Sequence, residues 1–161
     1  MAVLAQYGYG VNSDRPGRNN KLVGTGSTGS TTINQGSSIA FSSDGNTIAI
    51  GGYGDNNGVG AVWIWTRQAY GEPYSQQQKV VGTGNTGSSN QGTSVALSGD
   101  GNILVFGGSG DNSNIGATWV WARSAFGQTY SQFQNKIVGT TNSSFGTSVA
   151  ISTDGTTIAV G

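Results

Sequence analysis

One block of sequence, met three times, constrains this chain more than any other feature. Gly36–Gly52 reads GSSIAFSSDGNTIAIGG, Gly92–Gly108 reads GTSVALSGDGNILVFGG, and Gly146–Gly161 reads GTSVAISTDGTTIAVG. The offsets are 56 and 54 residues. A second block follows the first two copies, as Gly60–Arg67 (GAVWIWTR) and Gly116–Arg123 (GATWVWAR). A third occurs at Lys21–Gly26 (KLVGTG), Lys79–Gly84 (KVVGTG) and Lys136–Thr141 (KIVGTT). Self-similarity at a period of this size is the signature of a repeat architecture, in which each unit covers its apolar face with its neighbours.

Each unit divides into four short strands: A at Ser38–Ser42, B at Thr47–Gly51, C at Ala61–Arg67 and D at about Gln77–Val81. β-branched and aromatic residues fill most of them. Asp44-Gly45, Asp100-Gly101 and Asp154-Gly155 stand between A and B, where a tight hairpin needs residues tolerant of positive φ. Alternation in strand C puts Trp63 and Trp65 on one face and Val62 and Ile64 on the other, so both faces are apolar. A four-stranded antiparallel sheet covered on both faces, repeated at this period, is the blade of a β-propeller. A β-sandwich explains the strands but not the near-identity of successive units. The expected fold is all-β, with about three blade equivalents per chain: units at 36–91, 92–145 and a partial 146–161, with 21–26 as an outer strand. Ala2-Val3 precedes Lys21 by the spacing that separates Ala117-Thr118 from Lys136, so residues 1–20 are read as a segment holding a degenerate C strand. The layout is then CD, ABCD, ABCD, AB. Propellers close with about four to eight blades, so the ring is expected to be completed by head-to-tail self-association or by further sequence.

Composition bounds the function. Seven Lys plus Arg balance seven Asp plus Glu, so no basic patch suits nucleic acid. No apolar run approaches a transmembrane span and no signal peptide is visible. The absence of Cys and His removes disulfides, the usual zinc ligands and histidine acid–base chemistry.

The combination Ser94–Asn102, Gly107–Asn112, Gly116–Arg123 and Tyr130–Gln134, with Tyr74–Lys79 in the preceding unit, resembles the FG-GAP (integrin-α-like) propeller repeats, in their bacterial and viral variant. The resemblance covers about residues 21–161. It implies a non-enzymatic propeller for adhesion, surface display or assembly, in an extracellular, cell-surface or virion setting. Calcium-binding units of that group carry several carboxylates in one loop. Here each A–B turn offers one (Asp44, Asp100, Asp154), which leaves calcium a weak expectation and turn chemistry the stronger one.

Outside residues 1–20 the remaining charges, except Glu72, follow the repeat. Asp55-Asn56 and Asp111-Asn112 fall in the B–C loop, where they are expected to bond local backbone N–H groups or to line a ligand-binding rim. Arg67 and Arg123 end strand C and are expected to find cross-strand or interblade partners. The tryptophans are assigned to interblade packing rather than to sugar stacking. Tyr70 and Phe126, in the C–D hairpins, are the choice for a partner-contacting rim. The leading expectation is a structural or surface protein whose partners are copies of itself or other structural proteins. A carbohydrate-binding or adhesion propeller is the alternative. Paired acid–base catalysis lacks a second carboxylate at each site.

Overall fold

The computed structural model describes residues 2–4, 20–29, 32–140 and 143–161. The rest of the N-terminal segment, including most of the stretch read as a degenerate strand, lies outside the described residues. The fold is all-β and its sheets are antiparallel. One four-stranded sheet is built from β3 (Ser38–Phe41), β4 (Thr47–Gly52), β5 (Ala61–Thr66) and β6 (Ser75–Val80), in that spatial order, following β1 (Ala2–Leu4) and β2 (Asn20–Leu22), which pair with each other. A second sheet repeats the arrangement with β7 (Ser94–Leu97), β8 (Ile103–Gly108), β9 (Ala117–Ala122) and a fourth strand in two pieces, β10 (Ser131–Gln132) and β11 (Ile137–Val138). β12 (Val149–Ile151) and β13 (Ile158–Val160) form a closing pair. Among the described residues no sheet closes on itself.

The split fourth strand has a simple cause. Four residue steps separate Ser75 from Lys79, but five separate Ser131 from Lys136. The extra residue cannot be accommodated in the ladder, which breaks and then resumes at Ile137 opposite Thr118. In the first sheet a bulge at Ile64/Trp65 marks the same place without a break.

Both faces of the first sheet are covered. Ile48, Ile50, Trp63 and Trp65 form one buried cluster with Leu22 of β2. Ala49, Val62, Ile64 and Val80, on the opposite face, join Leu97, Leu104, Phe106 and Trp119 of the second sheet. The cores therefore lie between sheets, with Phe106 stacked on Trp119 at 5.8 Å. The A strands of successive units are neighbours: β3 lies against β7 and β7 against β12. Their hairpins are stitched together at equivalent positions, with Ser43 N–H donating to the Gly99 carbonyl and Gly99 N–H to that of Thr153, both at 2.8 Å.

The KLVG glycines are required by the tryptophans. Trp63 and Trp119 donate their indole N–H to the Thr25 and Thr83 carbonyls at 2.9 Å. This draws the strand past the ring so closely that a Cβ on Gly24 or Gly82 would overlap it. Gly24→Ala is therefore expected to cost about 1–3 kcal/mol, the range for overpacking a filled site. Val23→Ala, at an exposed position, should stay within about 0.5 kcal/mol. Equilibrium denaturant unfolding of the two variants checks this, and equal effects would contradict it.

Candidate functional site

The residues with chemical potential fall into two groups, at opposite ends of the sheets. The A–B and C–D hairpins share one end. The B–C loops and the connections entering each unit share the other.

At the first end each A–B aspartate organises its own turn. Asp44 accepts from Ser42 Oγ (2.6 Å), Asn46 N–H (2.9 Å) and Asn46 Nδ2 (3.0 Å). Asp100 repeats the pattern with Ser98 and Asn102, and Asp154 with Ser152 and Thr156. Burial alone would raise the Asp44 carboxyl, but the Ser42 and Asn46 bonds outweigh it and hold it below the ordinary value. Asp100 is lowered chiefly by Ser98, and Asp154 by Ser152. This is Asx-turn chemistry. Among the described residues no three His, Cys, Asp or Glu side chains gather as a metal-binding group.

Beside these turns sit Arg67 and Arg123, both buried. Arg123 donates from Nε to Asn102 Oδ1 (3.1 Å) within its own sheet. Its other nitrogens cross to the preceding sheet, Nη1 to Gln77 Oε1 (3.2 Å) and Nη2 to Thr47 Oγ1 (2.9 Å). The guanidinium also lies 4.8 Å from the Tyr130 ring and 5.3 Å from Phe126. Arg67 makes the in-sheet half of this arrangement, with Asn46 at 3.1 Å and the Tyr74 and Tyr70 rings at 4.8 and 5.2 Å. Tyr130 and Tyr74 donate their hydroxyls to the Gly101 and Gly45 carbonyls. Burial pushes the Tyr130 phenol up to about 12 despite the nearby Arg123, so it stays a donor. Of the aromatics chosen as a rim, Tyr70 is 69% exposed and Phe126 37%. Each also forms the outer cover of an arginine.

At the second end the Asp55 and Asp111 side chains bond to residues far away in the chain, not to backbone N–H groups of their own loop as expected. Asp55 and Asp111 are fully buried, while Asn56 and Asn112 are exposed. Each pair grips one threonine of the incoming connection. Asp55 Oδ1 accepts the Thr28 N–H (2.9 Å) while Asn56 N–H donates to the Thr28 carbonyl (2.8 Å). Asp111 and Asn112 hold Thr86 at 2.7 and 3.0 Å. Asn56 and Asn112 take up left-handed φ of 48° to do so, a conformation asparagine tolerates. The second carboxylate oxygen is neutralised by a lysine of strand D: Lys79 Nζ to Asp55 Oδ2 at 2.6 Å, and Lys136 to Asp111. Lys79 also donates to the Gly26 carbonyl (2.7 Å) and lies over the Trp63 ring. Both carboxylates are thus buried and paired among the described residues.

Two contributors were not anticipated. Gln35 and Gln91 each clamp the backbone of a KLVG glycine through both amide atoms, Gln91 with Gly82 at 2.6 and 2.9 Å and Gln35 with Gly24 at 2.8 and 2.9 Å. The glutamines of strand D reach between sheets, Gln78 pairing twice with the Tyr130 backbone. The recurrence of Asn-Gln-Gly at 34–36 and 90–92 was the available signal.

Among the described residues no helix is long and apolar enough to cross a membrane. No protein-family model matches the chain, and no curated protein sequence matches it.

The buried Asp111–Lys136 pair gives a direct test of the second end. Lys136→Met strands a fully buried carboxylate and should cost about 2 kcal/mol or more, allowing for the partial exposure of the lysine. Adding Asp111→Asn, which keeps an acceptor for Thr86 without the charge, should recover part of that loss in urea unfolding. Strict additivity would contradict the pairing.

Proposed function

We propose that this chain is a non-enzymatic β-propeller protein of the FG-GAP type, a building block that joins copies of itself into a ring and serves in an assembled surface layer or particle. The observation that carries this reading is the use made of the repeated polar residues. Asp44, Asp55, Asp100, Asp111, Arg123, Lys79 and Lys136 are each bonded within a turn, between loops or between sheets. Chemistry-bearing groups are spent on holding successive units together, as in solenoid and propeller arrays, whose stability lies in nearest-neighbour interfaces.

Three further features support a ring. The four-stranded units are meanders in the order A-B-C-D, their A strands lie side by side, and the apolar faces of each sheet point at the next. Open edges support self-association. Among the described residues β1 pairs only with β2 and β13 only with β12, so two half-sheets each lack the half that the other represents. The chain, rich in Ser, Thr, Asn and Gln and with no net charge, suits a packed layer better than recognition of a charged partner.

Negative-stain or cryo-electron microscopy of the purified chain tests the reading. The expected images are closed rings of six blades from two copies or nine from three. Single curved stacks of three units, at a solution mass of one chain (16.4 kDa), would contradict it.

A further inference from the structure

Arg67 and Arg123 occupy the same place in successive sheets but do not have the same partners. Arg123 crosses to Gln77 and Thr47 of the sheet before it. Arg67 is equally buried, 6% exposed against 5%, yet neither of its Nη groups has an acceptor among the described residues, and Nη1 is wholly shielded from solvent. A buried guanidinium donor without a partner is costly. On the Arg123 pattern, Nη1 looks to strand D of the preceding sheet and Nη2 to the first residue of its B strand; what Nη2 of Arg67 lacks is that B-strand residue.

We propose that Thr157 of a second copy of this chain supplies the acceptor for Arg67 Nη2, across a seam in which β13 of one copy pairs antiparallel with β1 of the next. This rests on the ring assembly proposed above. Three independent features point to it. The first is register. Val62 stands opposite Val80, and Ala2 opposite Leu22, so position 2 is equivalent to Val62. Within the first sheet Gly51, Ile50 and Ala49 face Val62, Trp63 and Ile64. The matching seam places Gly161 opposite Ala2, Val160 opposite Val3 and Ala159 opposite Leu4. The second is burial. Thr47, Ala49 and Gly51 are buried between β5 at their edge and the next sheet over their face, whereas their equivalents Thr157, Ala159 and Gly161 are exposed. The hydroxyl of Thr157 is therefore free to be covered.

The third is an alternation in the sequence itself. The first residue of strand B is Thr47, Ile103 and Thr157 in the three units. The residue that follows strand C is Arg67 and Arg123. Thr47 serves the arginine of the next sheet, Arg123. In a ring the sheet after Ile103 is the composite one, to which Ile103 offers no hydroxyl. The sheet after Thr157 is that of Arg67, and the threonine returns. The hairpin series Ser43, Gly99, Thr153 continues in the same sense, its next link running from Thr153 N–H to the Ser43 carbonyl of the second copy.

The test uses the 161-residue chain and its Thr157→Val variant, which is isosteric, removes only the acceptor, and puts a hydrocarbon where Ile103 shows that one is compatible with the fold. Sedimentation velocity over a concentration series is expected to show a closed oligomer whose dissociation constant rises about tenfold or more in the variant, the effect of losing a hydrogen bond to a charged group. The melting temperature of the dissociated chain should not move. Because the chain has no cysteine, a mixture of Val3→Cys and Val160→Cys chains should form a mixed disulfide that neither forms alone. An unchanged dissociation constant and no mixed disulfide, in a chain that still oligomerises, would overturn the seam and leave the ring assembly standing. A monomer at every concentration would overturn both, and would assign the acceptor to flanking sequence of a longer protein.

Discussion

A β-sheet that is apolar on both faces cannot be stable by itself. Each four-stranded sheet here presents tryptophan, isoleucine or phenylalanine on one side and valine, isoleucine or alanine on the other. The hydrophobic gain is realised only when a sheet lies against each face. Everything else in the fold follows from this sandwiching. The connection between units must carry the chain from the outer strand of one sheet to the inner strand of the next, and glycines must let that connection pass the edge of a tryptophan. Polar side chains near the seam must find partners on the neighbouring sheet or be left buried without one.

This last requirement accounts for the unusual charge content. A chain this long normally wears its charges on the surface. Here most of the repeated charges turn inward or brace turns with local partners: a turn carboxylate with Ser and Asn, a buried aspartate with a lysine, and Arg123 with Asn, Thr, Gln and two aromatic rings. The arginine suits the seam because its planar fork divides its donors between two sheets while its faces remain available for stacking. Lysine suits the loop end, where one carboxylate and one carbonyl converge on a single ammonium.

Much of the strand pattern was legible because apolar blocks, Asp-Gly turns and tryptophan alternation are local signals. Strands A, B and C begin at the residues read for them, and Trp63 and Val62 lie on opposite faces. Strand D was less legible. Ser75–Gln78 has no β-branched or aromatic residue, and what recommends it as a strand is the reach of its glutamines to neighbouring sheets and loops, which no local propensity contains. The Asp55 and Asp111 partners were misplaced for a related reason. Their loop offers backbone donors nearby, but the left-handed turn at Asn56 and Asn112 aims the carboxylate at an incoming threonine 25 to 27 residues earlier in the chain. Contacts of this range are properties of the sheet stack, not of the unit.

The central claim is that successive sheets hold each other, with the strand-C arginine as the polar tie. A double-mutant cycle on unfolding free energy, combining Thr47→Val in one sheet with Arg123→Met in the next, tests it most directly. The account predicts a coupling of about 1 kcal/mol or more, as expected for a buried hydrogen bond to a charged donor. Additivity to within about 0.5 kcal/mol would mean that the two sheets do not communicate through this contact, and would contradict it.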